Sequence, residues 1–162
     1  MRVLGVDPGT IRTGWGLVER RGSRLTGIDA GVICAGSGEP LERRLHTIHA
    51  GLSAVVERLC PDAFAVESIF HARNANAALK LGHARGVALL VAATANLSVS
   101  DYAPAMVKRT VAGSGRAGKD QLGRLVGAIL GLSELPPTDA TDALAVAITH
   151  ARACSILAAA AR

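Results

Sequence analysis

Residues 3–10 read Val3-Leu4-Gly5-Val6-Asp7-Pro8-Gly9-Thr10. A short apolar run rich in valine predicts a buried strand, and Pro8-Gly9 stops it in a turn. Asp7 then closes a core strand, where a carboxylate is costly unless something pairs with it. Gly14-Trp15-Gly16-Leu17-Val18 starts a second strand only a few residues on. Asp7 is therefore expected to open a hairpin and not a strand-to-helix crossover. Ala63-Phe64-Ala65-Val66 repeats the pattern, a short apolar run ending on the acid Glu67. Asp139 and Asp142 add two carboxylates at the start of the last helical stretch, three apart and so neighbours on one helix face. In the first turn of a helix, the dipole favours both.

Working outward, strands are expected near 2–7, 14–20 and 24–34, and a helix over 41–59 with Leu41, Leu45, Ile48, Leu52, Val55, Val56 and Leu59 at helical spacing. The strand 63–67 follows, then a polar loop carrying Phe70, His71, Arg73 and Asn74. Residues 75–95 form the most apolar helix, expected to be buried on more than one side. A fifth strand is placed at 97–100. Further helices are expected from Pro104 to Val111, from Lys119 to Leu130 and from Asp139 to about Ala160. The order predicts one α/β domain over 1–162, a mixed sheet flanked by helices.

Composition bounds the function. A chain of 162 residues suits one domain that needs no disulfide or structural metal. Aromatics are 2% of the chain, too few for broad single-strand stacking platforms. The net charge is +5, and setting aside the four acids as one site raises the balance of the rest to +9. That is an electrostatic footprint for a polyanion. Cys34, Cys60 and Cys154 lack ligand spacing, which speaks against zinc and for a reducing compartment. No signal-peptide pattern or spanning run is evident, so a soluble cytoplasmic protein, with no membrane contact, is expected.

Four oxygen ligands of this kind suit Mg²⁺ or Mn²⁺. Two such ions would stabilise the attacking and leaving oxygens of a phosphodiester displacement. Gly5-Val6-Asp7-Pro8-Gly9 with Thr13-Gly14, Val66-Glu67-Ser68-Ile69-Phe70 through Arg73-Asn74, Lys80-Leu81-Gly82-His83-Ala84-Arg85-Gly86 and Asp139-Ala140-Thr141-Asp142-Ala143-Leu144-Ala145 closely resemble the RuvC-type Holliday junction resolvases. The resemblance covers nearly the whole chain in order. It implies an RNase H-like fold with a five-stranded sheet, a homodimer, and Mg²⁺-dependent symmetric cutting of four-way DNA junctions, with the RuvA-RuvB branch-migration complex as a possible partner. Asp7, Glu67, Asp139 and Asp142 match the family's four acidic positions one by one. Phe70 stands where the family uses an aromatic at the junction centre, and the helix at 75–95 where it places a dimer interface. Lys108 and Lys119 match lysines near the family's active site, where a cation offsets charge on the scissile phosphate. Arg73, Lys80, Arg85, Arg109, Arg116 and Arg124 are further candidates for phosphate contacts.

Three other signals are set aside. Asp7-Pro8-Gly9-Thr10 also resembles the phosphate loop of actin-like and sugar kinases, but those enzymes need a second related domain that 162 residues do not hold. Gly113 to Lys119 fits P-loop spacing until Asp120, where Ser or Thr is required, and it follows a helix and not a strand. His46, His49, His71, His83 and His150 share no ligand spacing.

Overall fold

The computed structural model describes residues 1–68 and 75–160. Their elements run β1 (Arg2–Asp7), β2 (Arg12–Arg21), β3 (Arg24–Cys34), α1 (Leu41–Leu59), β4 (Ala63–Glu67), α2 (Ala75–Thr94), β5 (Val99–Tyr102), α3 (Pro104–Ala112), α4 (Lys119–Leu130) and α5 (Thr138–Ala160). The strands form one sheet in the order β3-β2-β1-β4-β5. β1, β2 and β3 are an antiparallel meander, and β4 and β5 run parallel to β1. This is the mixed five-stranded RNase H-like sheet expected from the sequence.

Alternation along the strands divides the core in two. Leu4, Val6, Trp15, Leu17, Phe64 and Val66 pack under α1 and α2. Val3, Val18, Ala65 and Tyr102 pack under α3, α4 and α5. Asp7 is in phase with Val3 and Gly5, and Glu67 with Ala63 and Ala65, so both acids belong to the α5 face of the sheet.

The α5 helix lies unusually close to that face because the sheet offers it glycine. A Cβ on Gly5 would fall on the Ala143 carbonyl and 2.7 Å from the Ala147 nitrogen. A Cβ on Gly14 would fall on the Asp139 carbonyl. Ala140, Ala143 and Ala147 on the helix are fully buried. Backbone thus meets backbone, and this slot sets the height of the α5 N-terminus above the strand ends.

The structure corrects the sequence reading in two places. The fifth strand is 99–102, not 97–100. The helix before it exits through Asn96 at φ 54°, and the Leu97 amide donates to the Ala92 carbonyl at 2.9 Å, so Leu97 belongs to the helix cap. Also, α2 is not buried all round within the chain. Ala84, Ala88, Val91 and Ala92 face the core, whereas Leu79 and Leu90 remain 64% and 56% exposed. With Gly82, Gly86 and Leu45 of α1 these leucines line an open apolar groove.

None of the three cysteines forms a disulfide. Among the described residues no helix is long and apolar enough to cross a membrane.

Candidate active site

Asp7 and Glu67 end adjacent parallel strands, whose register pairs Val6 with Val66. The chain leaves β1 through a turn locked by Thr13, which is fully buried. Its hydroxyl donates to the Gly9 carbonyl at 2.8 Å and accepts from the Gly9 amide at 3.3 Å. Glu67 is anchored from the other side: it pairs with Tyr102 in β5, and the Ser68 amide donates to the Tyr102 carbonyl at 2.9 Å. At the start of α5, the Thr141 amide donates to the Pro137 carbonyl at 2.9 Å, and the Thr141 hydroxyl donates to the Pro136 carbonyl at 3.0 Å. These bonds fix the start of α5, with Asp139 in its first turn and Asp142 one turn on.

The acids act on one another electrostatically. Asp7 rises from 3.8 to about 8, first through burial and then through the negative charges of Glu67, Asp142 and Asp139. It also shares a hydrogen bond with Glu67, which requires a proton between the two carboxyls. Glu67 is raised by burial and by Asp142, against the opposing pull of Lys119 and Lys108. Asp142 is raised by burial, with Lys119 again opposing. Crowded, partly desolvated carboxyls with raised pKa values make this a candidate functional site.

Two cations already engage the acids. Arg12 Nε lies 2.5 Å from Asp139 Oδ2, and Lys119 Nζ lies 3.7 Å from Asp142 Oδ2. Among the described residues, no three His, Cys, Asp or Glu side chains close on one cation-sized centre. Asp7 and Glu67 are bonded to each other, and Asp139 is bonded to Arg12. The donor set nonetheless fits a hard divalent cation. All four donors are carboxylates, and the charge that raises three of their pKa values is what such a cation relieves.

The basic residues separate into groups. Lys108 of α3 and Lys119 of α4 both act on Glu67 and Asp142, so they belong to the site. Arg109, Arg116 and Arg124 are exposed on or between the same two helices. Lys80 is exposed on α2. Arg85 of α2 forms an ion pair with Asp101 of β5, on the α2 side of the sheet. Phe70, Arg73 and Asn74 lie outside the described residues, as does His71. His150 is a core residue: its Nδ1 meets the Tyr102 hydroxyl at 2.9 Å and its Nε2 meets Cys154 Sγ at 3.4 Å, and burial lowers its pKa. Arg12 was not among the sequence candidates. It stands 127 positions from Asp139, and only a local charge at a strand start marks it.

The family model for the crossover junction endodeoxyribonuclease RuvC matches residues 3–150. The chain belongs to the RuvC family. A RuvC of Syntrophotalea carbinolica, a crossover junction endodeoxyribonuclease, is 52% identical over 151 residues, covering 93% of this chain and 94% of that one. The corresponding RuvC of Geobacter sulfurreducens is 49% identical, covering 93% and 92%. Among solved structures, T. thermophilus RuvC in complex with a Holliday junction substrate superposes with a TM-score of 0.90 at 38% identity, covering 96% of each chain. The RuvC match contains all four acids, Arg12, Lys108 and Lys119.

Proposed function

We propose that this RuvC-family chain is a structure-selective DNA endonuclease of recombination and repair that resolves four-way junctions by paired, symmetric nicks of opposing strands. The observation that carries the reading is the meeting of Asp7 and Glu67, on adjacent parallel strand ends, with Asp142 at the α5 N-terminus under the charges of Lys108 and Lys119.

Asp7, Glu67, Asp139 and Asp142 would hold two Mg²⁺ ions, with Mn²⁺ as a substitute. When bound, such ions lower the pKa of a water and neutralise charge on the phosphate oxygens. The chain's own residues position the scissile phosphate. Lys119 and Lys108 offset its negative charge, and the strand ends hold the phosphate in line with an attacking water. A bond forms from the water oxygen to phosphorus while the bond from phosphorus to the 3′ oxygen breaks, and that oxygen takes up a proton. The products are 5′-phosphate and 3′-hydroxyl ends.

The exposed stripe of α2 supplies a homodimer contact. Two identical sites about a twofold axis match the symmetry of a four-way junction. Leu79→Glu with Leu90→Glu is expected to leave a folded monomer, since both leucines are already solvent-facing, and to abolish paired cutting. Sedimentation of wild type and double variant checks this, and an unchanged mass would place the interface elsewhere. Phe70 is assigned to the junction centre, Asn74 to a DNA contact, and Arg73, Lys80, Arg85, Arg109, Arg116 and Arg124 to phosphates of the duplex arms. The working compartment is the cytoplasm, with RuvA-RuvB as the partner complex.

Asp7 keeps its proton up to about pH 8 in the metal-free protein, so Mg²⁺ must displace it. Mg²⁺ affinity is expected to rise with pH from 6 to about 8 and then level off. Calorimetry at pH 7 in two buffers of different ionisation enthalpy should show proton release. Equal heats in both buffers would show that Asp7 is already ionised.

The decisive experiment compares a synthetic four-way junction with linear duplex, in Mg²⁺ and in EDTA. Paired, ligatable, metal-dependent nicks near the crossover support the proposal. Junction binding without cleavage in Mg²⁺ or Mn²⁺ overturns it.

A further inference from the structure

Arg12 begins β2, two residues before Gly14, the strand partner of Asp7. Its Nε donates to Asp139 Oδ2 at 2.5 Å. Its other contact, from Nη1 to Cys34 Sγ at 3.9 Å, is too long to hold the side chain. Half of the Arg12 side chain is exposed, as is a third of Asp139. The Arg12–Asp139 contact is the closer of two ion pairs at the acids, since Lys119 lies 3.7 Å from Asp142.

This pair has a consequence for both of the site's ligands. A carboxylate oxygen that accepts from a guanidinium is less available to a divalent cation, and the guanidinium repels that cation at close range. A guanidinium also matches the geometry of a phosphate as well as that of a carboxylate. A phosphate seated at the acids would lie beside Asp139 and so within reach of Arg12, whose side chain is half exposed.

We infer that Arg12 is a positioning residue: it holds Asp139 in the DNA-free protein and transfers to a backbone phosphate when DNA binds, releasing Asp139 to the divalent cation. The inference rests on the nuclease reading for the identity of the phosphate. By linkage, DNA then strengthens cation binding, and the cation strengthens DNA binding by the same factor. The pair keeps the acids from forming a complete cation site until substrate arrives.

The test needs no cleavage. Mn²⁺ binding to DNA-free protein is measured by electron paramagnetic resonance of the free ion, for wild type, Arg12→Gln, Asp139→Asn and the double variant. Arg12→Gln should tighten Mn²⁺ binding about twofold to fivefold, the range of an exposed ion pair. The same change should have no effect in the Asp139→Asn background, a result a merely structural role for Arg12 would not produce. In EDTA, the slope of log junction affinity against log salt should fall by about one for Arg12→Gln. Arg12→Lys, which keeps the charge, should restore that slope. Unchanged Mn²⁺ affinity in Arg12→Gln alongside normal wild-type cleavage overturns this inference alone, as does an unchanged salt slope. No saturable Mn²⁺ uptake by any variant, with no cleavage, overturns the nuclease reading and the inference with it.

Discussion

Asp7→Asn is expected to reduce junction cleavage at least about a thousandfold while making the metal-free protein more stable at neutral pH. Both effects come from one cause. Asp7 sits where burial and the charges of Glu67, Asp142 and Asp139 resist its ionisation, which raises its pKa to about 8. Between about pH 4 and about pH 8 the folded protein therefore keeps a proton that the unfolded chain has lost. Stability contributed by this group falls as pH rises through that window and levels off above it. An asparagine is neutral throughout, so it escapes the penalty. Below about pH 4, where Asp7 is protonated in both the folded and the unfolded state, wild type and variant should unfold at nearly the same urea concentration in EDTA. At pH 8.5 the variant should be more stable by about 1–3 kcal/mol. Urea titrations at the two pH values, with cleavage assays beside them, check both halves. A variant that cuts at the wild-type rate would remove Asp7 from the site. One that cuts poorly and is also less stable at pH 8.5 would show that Asp7 serves the fold.

Gly14→Ala is the second large effect, from the addition of a single methyl group. Gly14 lies opposite Asp7 in the β1–β2 register, and a Cβ there would occupy the position of the Asp139 carbonyl. The obstacle is backbone at the fixed start of a helix, so no rotamer change relieves it. Either α5 lifts from the sheet or the hairpin bends. The expected loss is about 2–4 kcal/mol in stability. Cleavage should fall more than stability alone explains, because Asp139 and Asp142 ride on the displaced turn. Gly38→Ala is the control: Gly38 has open space around the added carbon and should be nearly neutral. Denaturant melts and Mg²⁺ titrations of the two variants make the comparison. Equal behaviour of the two would mean that α5 does not rest in the glycine slot.

The contrast between these two positions shows what could be read from the chain. Asp7 and Glu67 were legible because each closes an apolar run, and a strand ending on an acid is a local pattern. The same holds for α1, whose apolar spacing predicts its bounds residue for residue. Asp139 and Asp142 were legible as a first-turn pair, and their company with two strand-end acids marked them as ligands, a reading the resemblance to the RuvC family then matched position by position. Gly14 belongs to the Thr13-Gly14 motif, yet nothing in its neighbours says that a helix backbone passes over it.

Where the sequence misplaced an element, the reason is also local. Leu97-Ser98-Val99-Ser100 alternates like a strand, but the left-handed turn at Asn96 and the bond from Leu97 back to Ala92 tie Leu97 to the helix cap, and strand pairing starts at Val99. The strand shifts by two, which brings Tyr102 beside Glu67. For α2, uniform apolarity signals burial without saying whether the core or a second surface does the burying. The fold answers with four buried residues on one face and an open leucine stripe on the other.

The sequence by itself determined the order of strands and helices, the two strand-end acids, the helix-start pair and the basic character of the remainder. These depend on periodicity, turn residues and charge, which act over a few residues. The tertiary structure alone decided how closely α5 approaches the sheet, that burial and mutual repulsion hold a proton on Asp7, and that Arg12 reaches Asp139 across 127 positions. Those features depend on strand register and on glycine permitting backbone to meet backbone, so they exist only once distant segments share one packed face.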